Sequence, residues 1–305
     1  MESLDYQGRE IRRWTRGPSS FLAAPETGAR LMNWNVTLGD GSVRDVIHWP
    51  EDLASDDFAK VRGGNPILFP FAGTSYANEK RDHWKTPEDK LLPMPQHGFA
   101  RNSDFRIASI DEYGFAAELQ PNEVASACYP YDYGLTVVYR FAELRVQVSL
   151  ILENYGDKAM PWSPGYHFYF HLPWRRDLER NDFILKIPAK TAYAYEPNGN
   201  LRQLPRPPGE ERFSEPSLVN RIHADLKEPE AIFGTANGEE NVSVRIEGGG
   251  SGSTRTFVTW TESEESPFYC VEPWMGPPNP TAHAQGPRFV GPGQRDEFTV
   301  EVNLL

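Results

Sequence analysis

The stretch Leu144 to Leu152, LRVQVSLIL, sets Leu144, Val146, Val148, Leu150 and Leu152 at alternate positions against Arg145, Gln147, Ser149 and Ile151. A period of two is that of a β-strand with one face in a core, because successive side chains leave a strand on opposite sides. The segment before it, Leu135 to Phe141, has the same character, and the short Ala142-Glu143 connection folds the two into a hairpin. Further strands are expected at Arg106 to Ile110, Phe115 to Gln120, Phe183 to Ile187, Val242 to Ile246, Thr256 to Trp260, Phe268 to Val271 and Phe298 to Val302. With 27 prolines and 25 glycines spread along 305 residues, long helices have little room. Helical turns are expected in segments such as Pro50 to Lys60 and Ser217 to Leu226. The expected fold is all-β, a large antiparallel β-sandwich with few short helices, built as a single domain over residues 1–305.

Composition narrows the function. Hydrophobic residues at 39% and aromatics at 12% supply a sizeable core. The formal charge of -12, with no stripe of Lys and Arg, argues against a nucleic-acid partner. Met1 to Arg16 is charged where a signal peptide needs an apolar stretch, and no run of about 18 apolar residues offers a membrane span. A cytoplasmic, membrane-free monomer is expected. Cys128 and Cys270 allow at most one disulfide and fit a reducing compartment.

Four segments carry candidate chemistry. In SPGYHFYFHLPW, Ser163 to Trp174, the strand period puts His167, Tyr169 and His171 on one face and Tyr166, Phe168 and Phe170 on the other. On a strand, His167 and His171 start roughly 13 Å apart, too far to chelate one metal. No H-x-H or Cys/His cluster in the linear sequence supplies other ligands, so no metal is expected. In CVEPW, Cys270 to Trp274, Glu272 follows an apolar strand and precedes a proline that is expected to end it. Trp274 is placed to keep water from this carboxylate and raise its pKa toward the range useful to a base. PMPQHGFAR, Pro93 to Arg101, gathers Gln96, His97 and Arg101 around a glycine, and RGGNPILFPFAG, Arg62 to Gly73, leads an arginine into an apolar strand. Gly63-Gly64 lacks the spacing of a nucleotide-binding loop. Asn198 to Pro216 and Gly276 to Gly293, dense in proline and glycine, are expected as loops, the second a candidate binding loop because it follows Glu272 closely.

In this order, RGGNPILFPFAG, LPMPQHGFAR, SPGYHFYFHLPW and CVEPW resemble the aldose 1-epimerase superfamily, in particular the branch that includes glucose-6-phosphate 1-epimerases. The resemblance implies a galactose-mutarotase-like β-sandwich with a sugar cleft on one sheet. It implies that His167 and Glu272 are the acid and base, and that Arg62, Gln96, His97 and Arg101 bind substrate. A sugar-binding aspartate of the family has Asp225 as its candidate, although no motif anchors it. Three positions depart from the family: Phe168 stands where a proline often follows the histidine, His171 stands at a position often less polar, and Asn65 stands where an aliphatic residue is common. Trp162, Trp174 and Trp274 are candidates for stacking on a sugar face.

The activity this implies is interconversion of the anomers of an aldose by proton transfer alone, with no cofactor. Alternatives are a hexose-6-phosphate 1-epimerase, to which Arg62 and Arg101 would lend phosphate contacts, a carbohydrate-binding protein without turnover, and a metal-dependent enzyme of cupin type. The expected partner is a small aldose or sugar phosphate.

Overall fold

The hairpin around LRVQVSLIL lies within one of two large antiparallel sheets, its strands Tyr133–Ala142 and Arg145–Asn154 paired from Tyr133 opposite Asn154 to Ala142 opposite Arg145. Val146, Val148, Leu150 and Leu152 are fully buried, as the alternation requires. Leu144 is not among them. It sits in the two-residue turn with Glu143, 43% exposed, so the strand begins one residue later than expected. The computed structural model describes residues 1–52, 57–175, 177–196, 198–248, 254–282 and 286–305.

Among these residues the sheet holding the hairpin has nine strands, in the order Phe105–Asp111, Gly114–Leu119, Tyr133–Ala142, Arg145–Asn154, Arg295–Leu304, Asn241–Glu247, Glu230–Thr235, Phe183–Lys186 and Glu210–Arg212. The other has 13. Its N-terminal part is a meander of Glu2–Tyr6, Arg9–Arg16, Ser19–Ala24, Arg30–Thr37 and Val43–Ile47, followed by Tyr169–His171, Phe268–Trp274, Thr256–Trp260, Arg221–Leu226, Ala189–Tyr195 and Leu201–Gln203. Gly165–Tyr166 and Ile67–Leu68 join beside Phe268–Trp274. Together the sheets make the expected all-β sandwich. The core between them runs from Trp14 to Val302. Tyr166 crosses it: its ring stacks on Phe298 at 5.4 Å, and its hydroxyl is shared between the carbonyls of Val148 and Phe298.

Both expected helical turns are present as short 3-10 turns, and the two expected loops are corrected in part. Ser217 to Leu226 holds a short 3-10 turn, Pro216–Leu218, but then becomes the strand Arg221–Leu226, which burial of Ile222 and pairing on both sides secure. Pro50 to Lys60 contains the 3-10 turn Phe58–Lys60, capped by the Asp57 carboxylate accepting from Ala59 N–H; residues 53–56 lie outside the described residues. Asn198 to Pro216 is not wholly loop, since Leu201–Gln203 and Glu210–Arg212 close opposite sheet edges. Gly276 to Gly293 carries the strand Arg288–Val290, with residues 283–285 outside the described residues. The one α-helix among the described residues, Glu123–Cys128, starts where Asn122 accepts a hydrogen bond from Ala125 N–H.

Candidate functional site

The run Ser163 to Trp174 is divided between two short strands, Gly165–Tyr166 and Tyr169–His171, with His167 and Phe168 at the step between them. Tyr166, Phe168 and Phe170 enter the core, and their neighbours point the other way, as the period of two requires. His167 stacks on Tyr169 at 4.7 Å and 13°. His171 leaves the group for His48, ring to ring at 5.8 Å.

The second functional strand, Phe268–Trp274, does not end at Val271. It continues through Glu272 and Pro273 to Trp274, every residue buried. Pro273 lies opposite Phe257 within the ladder that runs from Thr256 opposite Trp274 to Trp260 opposite Cys270. The register sets Tyr169 opposite Cys270 and Gly165 opposite Trp274, which brings His167 beside Glu272.

His167 Nε2 lies 3.3 Å from Glu272 Oε1, and Trp274 Nε1 donates to Glu272 Oε2 at 3.2 Å. Burial pushes the Glu272 carboxyl well above the ordinary carboxylate range, against the weaker pull of the Trp274 N–H and the Arg101 charge. Burial likewise holds the His167 imidazole well below its usual range, reinforced by Arg101, Arg30 and Arg62. Both directions favour a pair carrying one proton in total. A transfer across 3.3 Å interconverts carboxylic acid plus imidazole with carboxylate plus imidazolium at no change in net charge.

His167 is held from behind. Its backbone N–H donates to Asn65 Oδ1 at 3.0 Å, Asn65 Nδ2 donates to Tyr139 Oη at 2.8 Å, and Asn65 N–H donates to Leu31 O at 2.8 Å. The glycines before Asn65 allow this approach: Gly64 has φ +69°, and a Cβ there would lie 2.2 Å from Leu31 O. Gly63-Gly64 therefore serves backbone packing. Arg30, fully buried, donates to the carbonyls of Phe58, Val61 and Gly63 and lies against the rings of Trp49 and Phe58, which fixes the segment carrying Arg62 and Asn65.

These residues open onto a cleft of about 590 Å3 lined by His167, Glu272, Arg62, Gln96, His97 and Arg101, six of the seven anticipated site residues. His97 has φ +66° in a turn closed by Gly98 N–H donating to Pro95 O at 2.8 Å. Gly73 N–H donates to His97 Nδ1 at 3.1 Å, so that nitrogen carries a lone pair and the proton of the neutral ring sits on Nε2. Burial, and then Arg101, His167 and Arg62, keep the ring neutral by lowering its pKa well below the usual value. Arg101 Nη2 donates to Gln96 O at 2.9 Å. Arg62 lies 5.1 Å above the Trp260 ring and 3.4 Å from Glu262.

Asp225 is the exception. It is absent from the cleft lining and accepts from Thr191 Oγ1 at 2.6 Å on the neighbouring strand. Of the three tryptophans singled out, Trp274 lines the cleft; Trp162 is buried with its N–H on Asp296, and Trp174 packs on Phe183 and Phe233. Trp260 and Asn65 went unrecognised as site residues. Trp260 closes an apolar strand and looks like core, and Asn65 acts through a strand 74 residues away, at Tyr139.

The family model for aldose 1-epimerase matches residues 17–289, and the chain belongs to that family. Among individual relatives, LacX of Lactococcus lactis subsp. lactis is 25% identical over 230 residues, 70% of this chain and 74% of LacX. A galactose mutarotase-like protein of Clostridium acetobutylicum superposes with a TM-score of 0.81 at 18% identity, over 100% of this chain and 98% of its own. A galactose mutarotase related enzyme of Lactobacillus acidophilus gives 0.77 at 19% identity, over 97% of each chain. At such identities the structural likeness establishes the galactose mutarotase-like sandwich alone.

Proposed function

We propose that this protein is an aldose 1-epimerase that interconverts the α and β anomers of a hexose, with Glu272 as base and His167 as acid. The observation that carries the reading is the 3.3 Å approach of these two buried groups on the wall of a cleft. Anomer exchange requires a proton to leave the C1 hydroxyl and a proton to reach the ring oxygen. Both oxygens are bonded to C1, so acid and base must converge on one point. Glu272 takes the hydroxyl proton as His167 delivers its own to the ring oxygen, the C1 to ring-oxygen bond opens, and rotation about C1–C2 exposes the other face. Closure returns both protons. The pair ends as it began, so one shared proton suffices and no cofactor chemistry is called on.

The neutral His97 offers its Nε2 proton to a sugar hydroxyl, Gln96 offers its amide, and the indoles of Trp260 and Trp274 face the ring. We read the substrate as an unphosphorylated hexose, because Arg62 and Arg101 already hold Glu262 and the Gln96 carbonyl. A phosphorylated hexose is the second reading, favoured by the presence of Lys60, Arg62, Arg81 and Arg101 on the same cleft. Polarimetry of freshly dissolved α-D-glucose and α-D-galactose, with α-D-glucose 6-phosphate followed by a coupled assay, tests both. Acceleration is expected with a neutral sugar, reduced about 100-fold or more in Glu272→Gln and His167→Ala. Sugar binding without acceleration would contradict the epimerase, and turnover of the phosphate alone would replace the first substrate reading by the second.

A further inference from the structure

The strand that carries Glu272 presents Cys270 two residues earlier on the same face, and Cys270 is fully buried. Across the sheet, His167 supplies an imidazole nitrogen. One ligand atom from each of His167, Cys270 and Glu272 lies within 4.8 Å of the other two. This trio could not be read from the linear sequence, because strand pairing brings position 167 beside 270 and 272.

We propose that His167, Cys270 and Glu272 form a capture site for a thiophilic divalent cation, Zn2+ or Cd2+, and that the captured ion blocks the epimerase. The inference rests on the functional reading above only for its effect on turnover; the binding itself depends on the three donors alone. Nitrogen, sulfur and carboxylate oxygen in one cluster are the ligand types such ions select, with three protein ligands and a fourth position left open. Zinc bonds of about 2.0–2.3 Å in tetrahedral geometry place donors roughly 3.3–3.8 Å apart. The His167–Glu272 pair already meets this at 3.3 Å, and the Cys270 sulfur, within 4.8 Å of both, completes the set by a small movement inward. His167 and Glu272 line the cleft, from which an ion would reach the site, while Cys270 lies buried behind them.

Selectivity follows from the neighbours. Arg62 and Arg101 on the cleft oppose any free cation, so an ion held only by charge, such as Mg2+, gains too little there. An ion that bonds to sulfur overcomes that opposition. On entry it displaces the thiol proton and the proton shared by His167 and Glu272: one M2+ replaces two H+, and the site keeps its net charge. The acid and base then hold a metal in place of the proton they pass to the sugar.

The test is titration of the whole protein with Cd2+, reading the ultraviolet thiolate-to-cadmium charge-transfer band beside epimerase activity. Wild type and Cys128→Ser are expected to show the band and to lose activity at the same ion concentration, with activity restored by a chelator and Mg2+ without effect. Cys270→Ser should lack the band and need about tenfold or more Cd2+ for half inhibition, the scale on which even outer partners of metal ligands act; Cys270→Ala repeats the test should serine perturb folding. No band in wild type, or a band and inhibition unchanged in both Cys270 variants, overturns the proposal. If the protein turns over no sugar, the band still decides whether the site exists, so the two readings fail separately.

Discussion

Asn65 is the residue on which the geometry of His167 turns. It is fully buried and ties the His167 N–H to the hydroxyl of Tyr139 in the opposite sheet. Asn65→Leu leaves the His167 N–H unpaired in the core, and the expected loss is about 1–3 kcal/mol. Because His167 then drifts relative to Glu272, kcat should fall about 10–100-fold with little change in KM; an unchanged kcat would show that the tether does not position the acid. The protonation of the pair gives a second expectation. Burial and the arginines lower the His167 pKa, so a second proton joins the pair only at pH below the ordinary imidazole value of 6.5. As pH falls, kcat/KM should hold through 6.5 and decline further into the acid range. Arg101→Met removes one of the charges opposing the imidazolium and should move that decline toward neutrality. A half-maximal rate at 6.5 in wild type, unmoved in the variant, would contradict this. At this scale His167, Glu272 and the residues around His97 were legible, because each sits in a compact local motif. Asn65, Trp260 and Cys270 were not, since their roles arise from contacts across strands, and Asp225 was misplaced because nothing local distinguished it.

At the scale of elements, one turn and one clamp hold the cleft walls. In the turn bearing His97, Gly98 has φ +72°, and a Cβ there would lie 1.8 Å from Phe69 O. Gly98→Ala therefore combines left-handed strain with a backbone overlap that no rotamer relieves, and a loss of about 2 kcal/mol or more is expected as a lowered urea midpoint with unchanged m-value. Arg30 is the clamp. Burial lowers its pKa to about 9, still above neutral pH, so the charge persists, and three carbonyls of the 58–63 segment receive its hydrogens. Arg30→Met should cost about 2–3 kcal/mol or more by taking the side-chain donor from all three carbonyls, of which Phe58 O keeps only the Val61 N–H at 3.4 Å, and Arg30→Lys should recover only part of it, since an ammonium lacks the planar fork. Full stability of Arg30→Met in thermal unfolding would remove the clamp from the account. Strands with alternating aliphatic residues were readable from the sequence. The N-terminal meander was not, because in REIRRWTR, Arg9 to Arg16, only Ile11 and Trp14 are buried and four arginines obscure the alternation. The strand ending at Trp274 was cut short for a related reason: a proline reads as a terminator, whereas pairing on both sides carries this strand past it.

For the whole molecule, the net charge of -12 surrounds a cleft bearing Lys60, Arg62, Arg81 and Arg101. A neutral sugar feels neither field, so KM should stay level between low and physiological salt, whereas screening over a Debye length of about 8–10 Å would raise KM for a phosphorylated one. The exposed edge strand Glu2–Tyr6 carries Glu2 and Asp5, a charge pattern that discourages pairing between chains, in keeping with the monomer we propose. No helix among the described residues is long and apolar enough to cross a membrane. The central claim, that Glu272 and His167 pass one proton to and from a sugar in a single cleft, is tested most directly by proton exchange spectroscopy on an equilibrated hexose. The α and β anomeric resonances should exchange magnetisation in the presence of wild type and show no enzyme-dependent exchange with Glu272→Gln or His167→Ala. Undiminished exchange in either variant, or none with wild type for any hexose, would contradict it.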